Sequence, residues 1–200
     1  MPERSHRTQA ERRAHTRAAL LDATISCLVE LGYARTSMQE ICARAGVSKG
    51  AVQHHFADKA ELMAAAVEHL TTRLSERNLP DENELPAGPE RVSAMIELLW
   101  RSYSGTLATA AMELWIAART DPPLAAAMRP VDKALGRSTL DRITELVTDV
   151  PRERLEMVFW LTVNLTRGLA LDAELGGDPQ RREQLLREWK RVATAICSEA

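Results

Sequence analysis

Two hundred residues suffice for one domain of ordinary size, or for a small domain joined to a larger one. Hydrophobic residues make up 45% and charged residues 27% of the chain, and the longest stretch without Asp, Glu, Lys or Arg runs only from Ser102 to Met112. A membrane span needs roughly 18 apolar residues, so none is predicted, and the polar N-terminal segment MPERSHRTQAERR is not a secretory signal.

The net charge of −2 hides an uneven distribution: residues 1–59 carry +3 and residues 60–200 carry −5. Such asymmetry is typical of a chain with a nucleic-acid-binding portion, although many solvated faces have the same balance. The three cysteines, Cys27, Cys42 and Cys197, are far apart and form no CxxC pair. We therefore expect no disulfide, no metal site and a cytoplasmic location.

Apolar residues recur at helical spacing and no segment alternates like a strand, so the sequence predicts an all-α fold. The first helices are separated by short stop and start signals: Gly32 ends one, and Gly46 ends the next. Ser37 with Glu40, and Asp58 with Glu61, have the spacing of capping boxes. With their caps, the four predicted helices are Ala10–Leu31, Ser37–Gly46, Ser48–Phe56 and Asp58–Asn78.

The acidic, proline-containing segment Pro80–Glu90 predicts a linker or loop. Beyond it, Asp121-Pro122 and Asp178-Pro179 read as N-caps followed by a first helical residue, and Pro130 predicts a kink or a break. The later predicted helices lie at about 89–105, 107–119, 122–149, 151–175 and 179–198.

The window Thr36–Lys59, TSMQEICARAGVSKGAVQHHFADK, places two short helices around the turn Ala45-Gly46-Val47. Helices this short need tertiary packing to form, which is how a helix-turn-helix is built. The outward positions of the third helix are small or polar and none is acidic, so this helix suits the major groove of DNA. Those positions are Lys49, Gly50, Ala51, Gln53 and His54.

The segment TSMQEICARAGVSKGAVQHHFADKAEL resembles the DNA-binding signature of the TetR family, in which Ile-Ala-x-x-Ala-Gly-Val-Ser-x-Gly-x-Leu-Tyr-x-His-Phe precedes Lys-Glu-x-Leu. The resemblance covers residues 10 to about 65. Cys42 replaces a small Ala of the pattern, and Gln53 replaces its Tyr. Beyond this region the chain resembles the family only in helix number and length.

The resemblance implies a DNA-binding role for each matching position. Thr36 and Ser37 would contact phosphate at the start of the second helix, and Lys59 would hold a phosphate at the start of the fourth. The implied recognition surface comprises Ser48, Lys49, Gly50, Ala51, Gln53 and His54. For Gln53, adenine recognition and a phosphate contact both remain open.

The arginines near the N-terminus, among them Arg4, Arg7, Arg12, Arg13 and Arg17, are either a disordered tail or a DNA-contacting arm. His54 and His55 point in different directions on a helix, so they do not predict a shared metal. No catalytic motif and no cofactor site is found. Aromatic and polar residues of the C-terminal part are either core or ligand-lining; the candidate ligand residues are Trp100, Tyr103, Trp115, Trp160 and Asn164.

We therefore expect an all-α protein with a helix-turn-helix DNA-binding domain at 10–65 and a helical ligand-binding and dimerisation domain at 66–200. The expected function is a ligand-responsive transcriptional regulator, a repressor that binds palindromic operator DNA as a homodimer. The two copies would associate through the last two helices of each. A small apolar or amphipathic effector would release it. Three alternatives stay open: a DNA-binding protein without a ligand, a helical binding protein without DNA recognition, and an enzyme.

Overall fold

The computed structural model describes residues 8–78, 85, 86, 88 and 90–198, and the regular structure in these residues is helical. The all-helical prediction is confirmed, and the predicted helix ends lie within about three residues of the observed ones. None of the described helices is long and apolar enough to cross a membrane. In chain order the helices are α1 (Gln9–Leu31), α2 (Met38–Ala45), α3 (Lys49–Gln53), α4 (Lys59–Asn78), α5 (Glu90–Tyr103), α6 (Thr106–Ala118), α7 (Pro122–Leu146), α8 (Arg152–Glu174) and α9 (Pro179–Ser198).

The two predicted Asp caps are confirmed by hydrogen bonds to free backbone groups at helix starts. The Leu124 N–H donates to Asp121 Oδ1 at 3.1 Å, and the Gln180 N–H donates to Asp178 Oδ1 at 2.9 Å. Pro130 lies inside α7 and does not break it. The Asp caps therefore predict the starts of α7 and α9 correctly. Although Pro130 lies in mid-helix, α7 is one continuous helix.

The described chain divides into two compact units, each with its own buried core. The first comprises the residues up to Leu70 together with Glu113–Val131, and the second comprises Thr71–Met112 with the residues from Asp132 onward. The division falls within α4, within α6 and within α7. Most of the predicted linker, and Arg4 and Arg7 of the predicted arm, lie outside the described residues. The functional domain ranges 10–65 and 66–200 stay predictions.

Candidate DNA-binding interface

The helix-turn-helix depends on burying one apolar residue from each short helix. Ile41 of α2 and Val52 of α3 are 0% exposed, and Phe56 just after α3 is 3% exposed. Gly46 ends α2 with a φ of +67°, which lets the chain turn sharply into α3. With only 5 residues in α3, its helical form depends on this packing.

The opposite side of α3 is open to solvent. Lys49, Gly50, Gln53 and His54 are exposed and Ala51 is half-buried, as the helical spacing of the sequence predicts. The stretch from residue 48 to residue 56 contains no acidic side chain. A phosphate backbone approaching this face therefore meets donors and one lysine, and no carboxylate of α3 repels it.

Ser37 and Ser48 are exposed N-caps. The Ser37 hydroxyl oxygen accepts the Glu40 N–H, and the Ser48 hydroxyl oxygen accepts the Ala51 N–H, both at 3.2 Å. A serine hydroxyl also carries one hydrogen, which the cap does not use. Each serine can therefore cap its helix and donate a hydrogen bond to phosphate at the same time.

Thr36 does not present its side chain to DNA. The residue is 1% exposed, and its hydroxyl donates to the Gly32 carbonyl at 2.8 Å. A phosphate contact would require breaking this bond and exposing the residue. The structure thus gives the Thr36 side chain a role in the turn between α1 and α2, which corrects the phosphate contact expected from the sequence.

Lys59, the other expected phosphate contact, lies against an aromatic ring. Its Nζ is 4.3 Å from the ring centre of Tyr33. Burial lowers the pKa of the Lys59 ammonium, and the Asp121 carboxylate acts in the opposite direction. Lys59 is half-buried at the first position of α4, and its contact with DNA stays a prediction.

Tyr33 connects the turn before α2 to α6 and α7, a role that sequence reasoning missed. Its backbone N–H donates to Glu113 at 2.8 Å, and its hydroxyl donates to Asp121 at 2.7 Å. Burial and the bond to Asp121 raise the pKa of Tyr33 to about 12. The only sequence signal is an aromatic residue directly after the glycine that ends α1.

A group of basic side chains lies where α1 passes the end of α3. The Arg17 guanidinium carbon is 5.2 Å from the ring centre of Phe56. The pKa of His55 is lowered first by burial and then by the positive charges of Arg13, Arg17 and His54. Arg13 and Arg17 are exposed residues of helix α1, so this part of the predicted arm is ordered helix and not a tail. We call Arg13, Arg17, His54 and His55 the basic cluster.

The predicted ligand residues occupy different surroundings. Trp100 lines a cavity between α5 and α9, and Tyr103 has the Arg167 guanidinium carbon 5.5 Å from its ring centre. Trp160 and Asn164 are exposed on α8, where the Asn164 amide donates to the Trp160 carbonyl at 2.8 Å. Trp115 is half-buried and belongs to the first unit, whereas the other four belong to the second. Their ligand-binding role stays a prediction.

In the part of the chain that the structure describes, no three His, Cys, Asp or Glu side chains lie close enough to hold a metal ion. The three cysteines are free and buried. Burial raises the pKa of the Cys27 and Cys197 thiols, which keeps them protonated and unreactive.

Comparison with known proteins agrees with the helix-turn-helix. The family model for "Bacterial regulatory proteins, tetR family" matches residues 20–66. An uncharacterized HTH-type transcriptional regulator of Mycobacterium tuberculosis is 31% identical over 191 residues, covering 94% of this chain and 98% of the relative. The HTH-type transcriptional regulator BetI of Escherichia coli is 30% identical over 169 residues, covering 82% and 84%.

The fold agrees as well. A crystal structure of the multidrug binding protein EbrR complexed with ethidium superposes with a TM-score of 0.68 at 21% identity, covering 92% of this chain and 99% of that one. The relatives are named as transcriptional regulators, which confirms the expectation that the chain is not an enzyme. The chain belongs to the TetR family of bacterial regulatory proteins and is a DNA-binding transcriptional regulator of that type.

Proposed function

We propose that this protein is a cytoplasmic repressor that binds palindromic operator DNA as a homodimer and leaves it when a small apolar or amphipathic effector binds. The observation that carries the proposal is the exposed, acid-free face of α3, on which Gln53 adjoins His54 of the basic cluster. This arrangement supplies base-reading side chains on one helix and phosphate-binding charges next to them.

The homodimer is supported by an apolar stripe on α8. Met157, Leu161, Leu171 and Leu175 are 48%, 49%, 39% and 80% exposed in the protomer. Together with Asn164 and Gly168, they follow one another at alternating spacings of four and three residues, as at a helix–helix seam. An isologous interface would cover this stripe on both copies, and Leu185 of α9, 44% exposed, is a further apolar residue available to it.

Gly168 offers a direct test of the dimer. A Cβ added at this exposed position meets no atom within 4 Å, so Gly168→Leu leaves the protomer intact and adds bulk only to the stripe. We expect sedimentation velocity to show a dimer for the wild type and a monomer for Gly168→Leu. Ala134→Leu, on the exposed face of α7, is the matched control and stays dimeric. A monomeric wild type at micromolar concentration refutes the proposal.

A route from the later helices to the DNA-binding face is supported by the contacts of Tyr33. Glu113 of α6 and Asp121 at the start of α7 both bind this residue, which lies in the turn before α2. A movement of α6 or α7 would therefore displace the turn that positions α2. It would also displace Lys59 at the start of α4, because the Lys59 ammonium lies over the Tyr33 ring. An effector changes DNA affinity only as far as it prefers one of the two arrangements.

The effector class rests on the residues around Tyr103, which is half-buried in the second unit. Near its ring, Arg167 forms an ion pair with Asp132 at 2.7 Å, and the Tyr103 side chain packs against the hydrophobic core of the second unit. The EbrR structure was obtained with ethidium, an amphipathic aromatic compound, bound to that protein. A DNA-binding regulator without a small ligand is the second candidate.

Selection from random duplex DNA tests the function directly. We expect the purified dimer to enrich a palindromic site and to bind it at least about 1000-fold more tightly than unrelated DNA of equal length. A compound that raises the melting temperature of the free protein should then weaken binding to that site. Equal affinity for all sequences would contradict operator recognition, and the lack of any compound that weakens binding would favour the second candidate.

A further inference from the structure

A partly open cavity of about 490 Å³ lies between α5 and α9 in the second unit. Glu97 and Trp100 line it on α5, and Arg182, Leu186 and Lys190 line it at every fourth residue of α9. Its volume lies within the range of roughly 300–1,000 Å³ that small-molecule sites occupy. The cavity therefore has the size of a ligand site, and its chemistry depends on which charges are free.

Both acidic groups of the lining already have partners. Lys190 Nζ lies 2.6 Å from Glu97 Oε2, and this bond is the main reason why the pKa of Glu97 is lowered. Arg187 Nη1 lies 4.0 Å from Glu183 Oε1, and both side chains are well exposed at the rim. Each of these two ion pairs has no net charge, and the lining contains one further cation that belongs to neither pair.

That cation is Arg182, whose Nη1 is buried and has no hydrogen-bond partner among the residues that the structure describes. A buried N–H without an acceptor is unfavourable, and the guanidinium fork fits a carboxylate with two parallel bonds. Asp178, which precedes α9, accepts the Gln180 N–H with its Oδ1. Arg182 also lies in the first turn of α9, where the helix adds positive potential.

The other walls are apolar. Trp100 is half-buried on α5, and Leu186 is 7% exposed at the floor. Leu186 lines the cavity, whereas no exposed apolar residue of the proposed dimer surface does; those residues are Met157, Leu161, Leu171, Leu175 and Leu185. The cavity is therefore separate from the surface on which dimerisation is proposed.

We propose that the cavity between α5 and α9 binds a small aromatic carboxylate, which pairs with the guanidinium of Arg182 and whose ring lies against Trp100 and Leu186. The site goes beyond the proposed function, since it is defined by these groups whether or not its ligand acts on DNA binding. Its chemistry differs from that of a purely apolar pocket because affinity should depend on the ligand's negative charge.

Isothermal titration with 1-naphthoate tests this, with 1-naphthalenemethanol as the uncharged analogue. We expect one saturable site per protomer for 1-naphthoate and at least about tenfold weaker binding of the alcohol. Arg182→Gln should raise the Kd for 1-naphthoate at least about tenfold, and Arg182→Lys should raise it less, because the charge remains but the fork is lost. The matched control is Arg181→Gln, since Arg181 is exposed and pairs with Asp172; it should leave the Kd unchanged.

Any one of three results would overturn the proposal. The wild type shows no saturable binding of 1-naphthoate, it binds the alcohol as tightly as 1-naphthoate, or Arg182→Gln binds 1-naphthoate as tightly as the wild type does. The thermal midpoint and the DNA affinity of Arg182→Gln, measured in parallel, should equal those of the wild type. Because DNA binding is measured separately, failure at this cavity is distinguishable from failure of the proposed function.

Discussion

Gly32→Ala should destabilise the helix-turn-helix through two effects that the structure separates. Gly32 has a φ of +73° and a ψ of 169°, a region that is essentially restricted to glycine. A Cβ there would lie 2.9 Å from Glu113 Oε2, the oxygen that accepts the Tyr33 N–H at 2.8 Å. The alanine therefore strains the backbone and also displaces the Glu113 carboxylate from its hydrogen bond with the Tyr33 N–H.

The two contributions have different sizes. A backbone held in this region costs about 1–3 kcal/mol when the residue is not glycine. Losing the bond from Tyr33 to a charged acceptor costs at most about 1.5–3 kcal/mol, and less here because Glu113 is a flexible side chain at an exposed site. We expect a total of about 2–4 kcal/mol, a large part of the roughly 5–15 kcal/mol that stabilise a typical domain.

Urea unfolding of four variants measures these contributions. Gly46→Ala is the matched control: its φ is +67°, but a Cβ there meets no atom within 4 Å, so only a left-handed backbone penalty of about 1–2 kcal/mol applies. In a Glu113→Ala background, Gly32→Ala should cost only its backbone part, because nothing is left to displace. The reasoning is refuted if Gly32→Ala costs no more than Gly46→Ala, or if Glu113→Ala leaves its cost unchanged.

Two further predictions concern DNA binding. Lys59→Ala should weaken binding about equally for all sequences and reduce the slope of log affinity against log salt by about 0.9, whereas a changed base preference would exclude a phosphate contact. Because burial, and then the positive charges of Arg13, Arg17 and His54, lower the pKa of His55 and a phosphate would raise it again, DNA binding should take up a proton there. The DNA affinity of the wild type should therefore rise as pH falls from about 8 to about 5.5, and the affinity of His55→Gln should rise less steeply. His15→Gln on α1 is the control and should keep the slope of the wild type. Equal slopes for the wild type and His55→Gln would contradict a phosphate beside His55.

The sequence predicts features that depend on near neighbours in the chain. Gly46 ends α2, Asp121 and Asp178 cap α7 and α9, and the outward face of α3 follows from its helical spacing. Each signal operates within about one helical turn, so local stereochemistry and capping decide the outcome. This is why the fold class and the exposed residues of the candidate interface could be predicted.

Features that depend on distant partners could not be predicted. Tyr33 binds residues 80 and 88 positions later in the chain, and no local pattern indicates that pairing. Thr36 matches the family's pattern, yet its burial depends on how the turn folds back on Gly32. Periodicity showed that α8 is apolar on more than one side, but not that Trp160 and Asn164 lie on the side left exposed in the protomer.

The central claim, that α3 reads an operator, is tested most directly by base-pair scanning. The affinities of the wild type and of Gln53→Ala are measured for a panel of selected operators, each altered at one symmetric pair of positions. Gln53 is exposed on α3, and its amide fits the N6 and N7 atoms of adenine. We predict that single changes cost the wild type about 1–3 kcal/mol at several positions, and that Gln53→Ala loses this discrimination at one pair only. A wild type that binds every operator equally well would contradict base reading by α3, and a uniform loss for Gln53→Ala would assign Gln53 to the phosphate backbone.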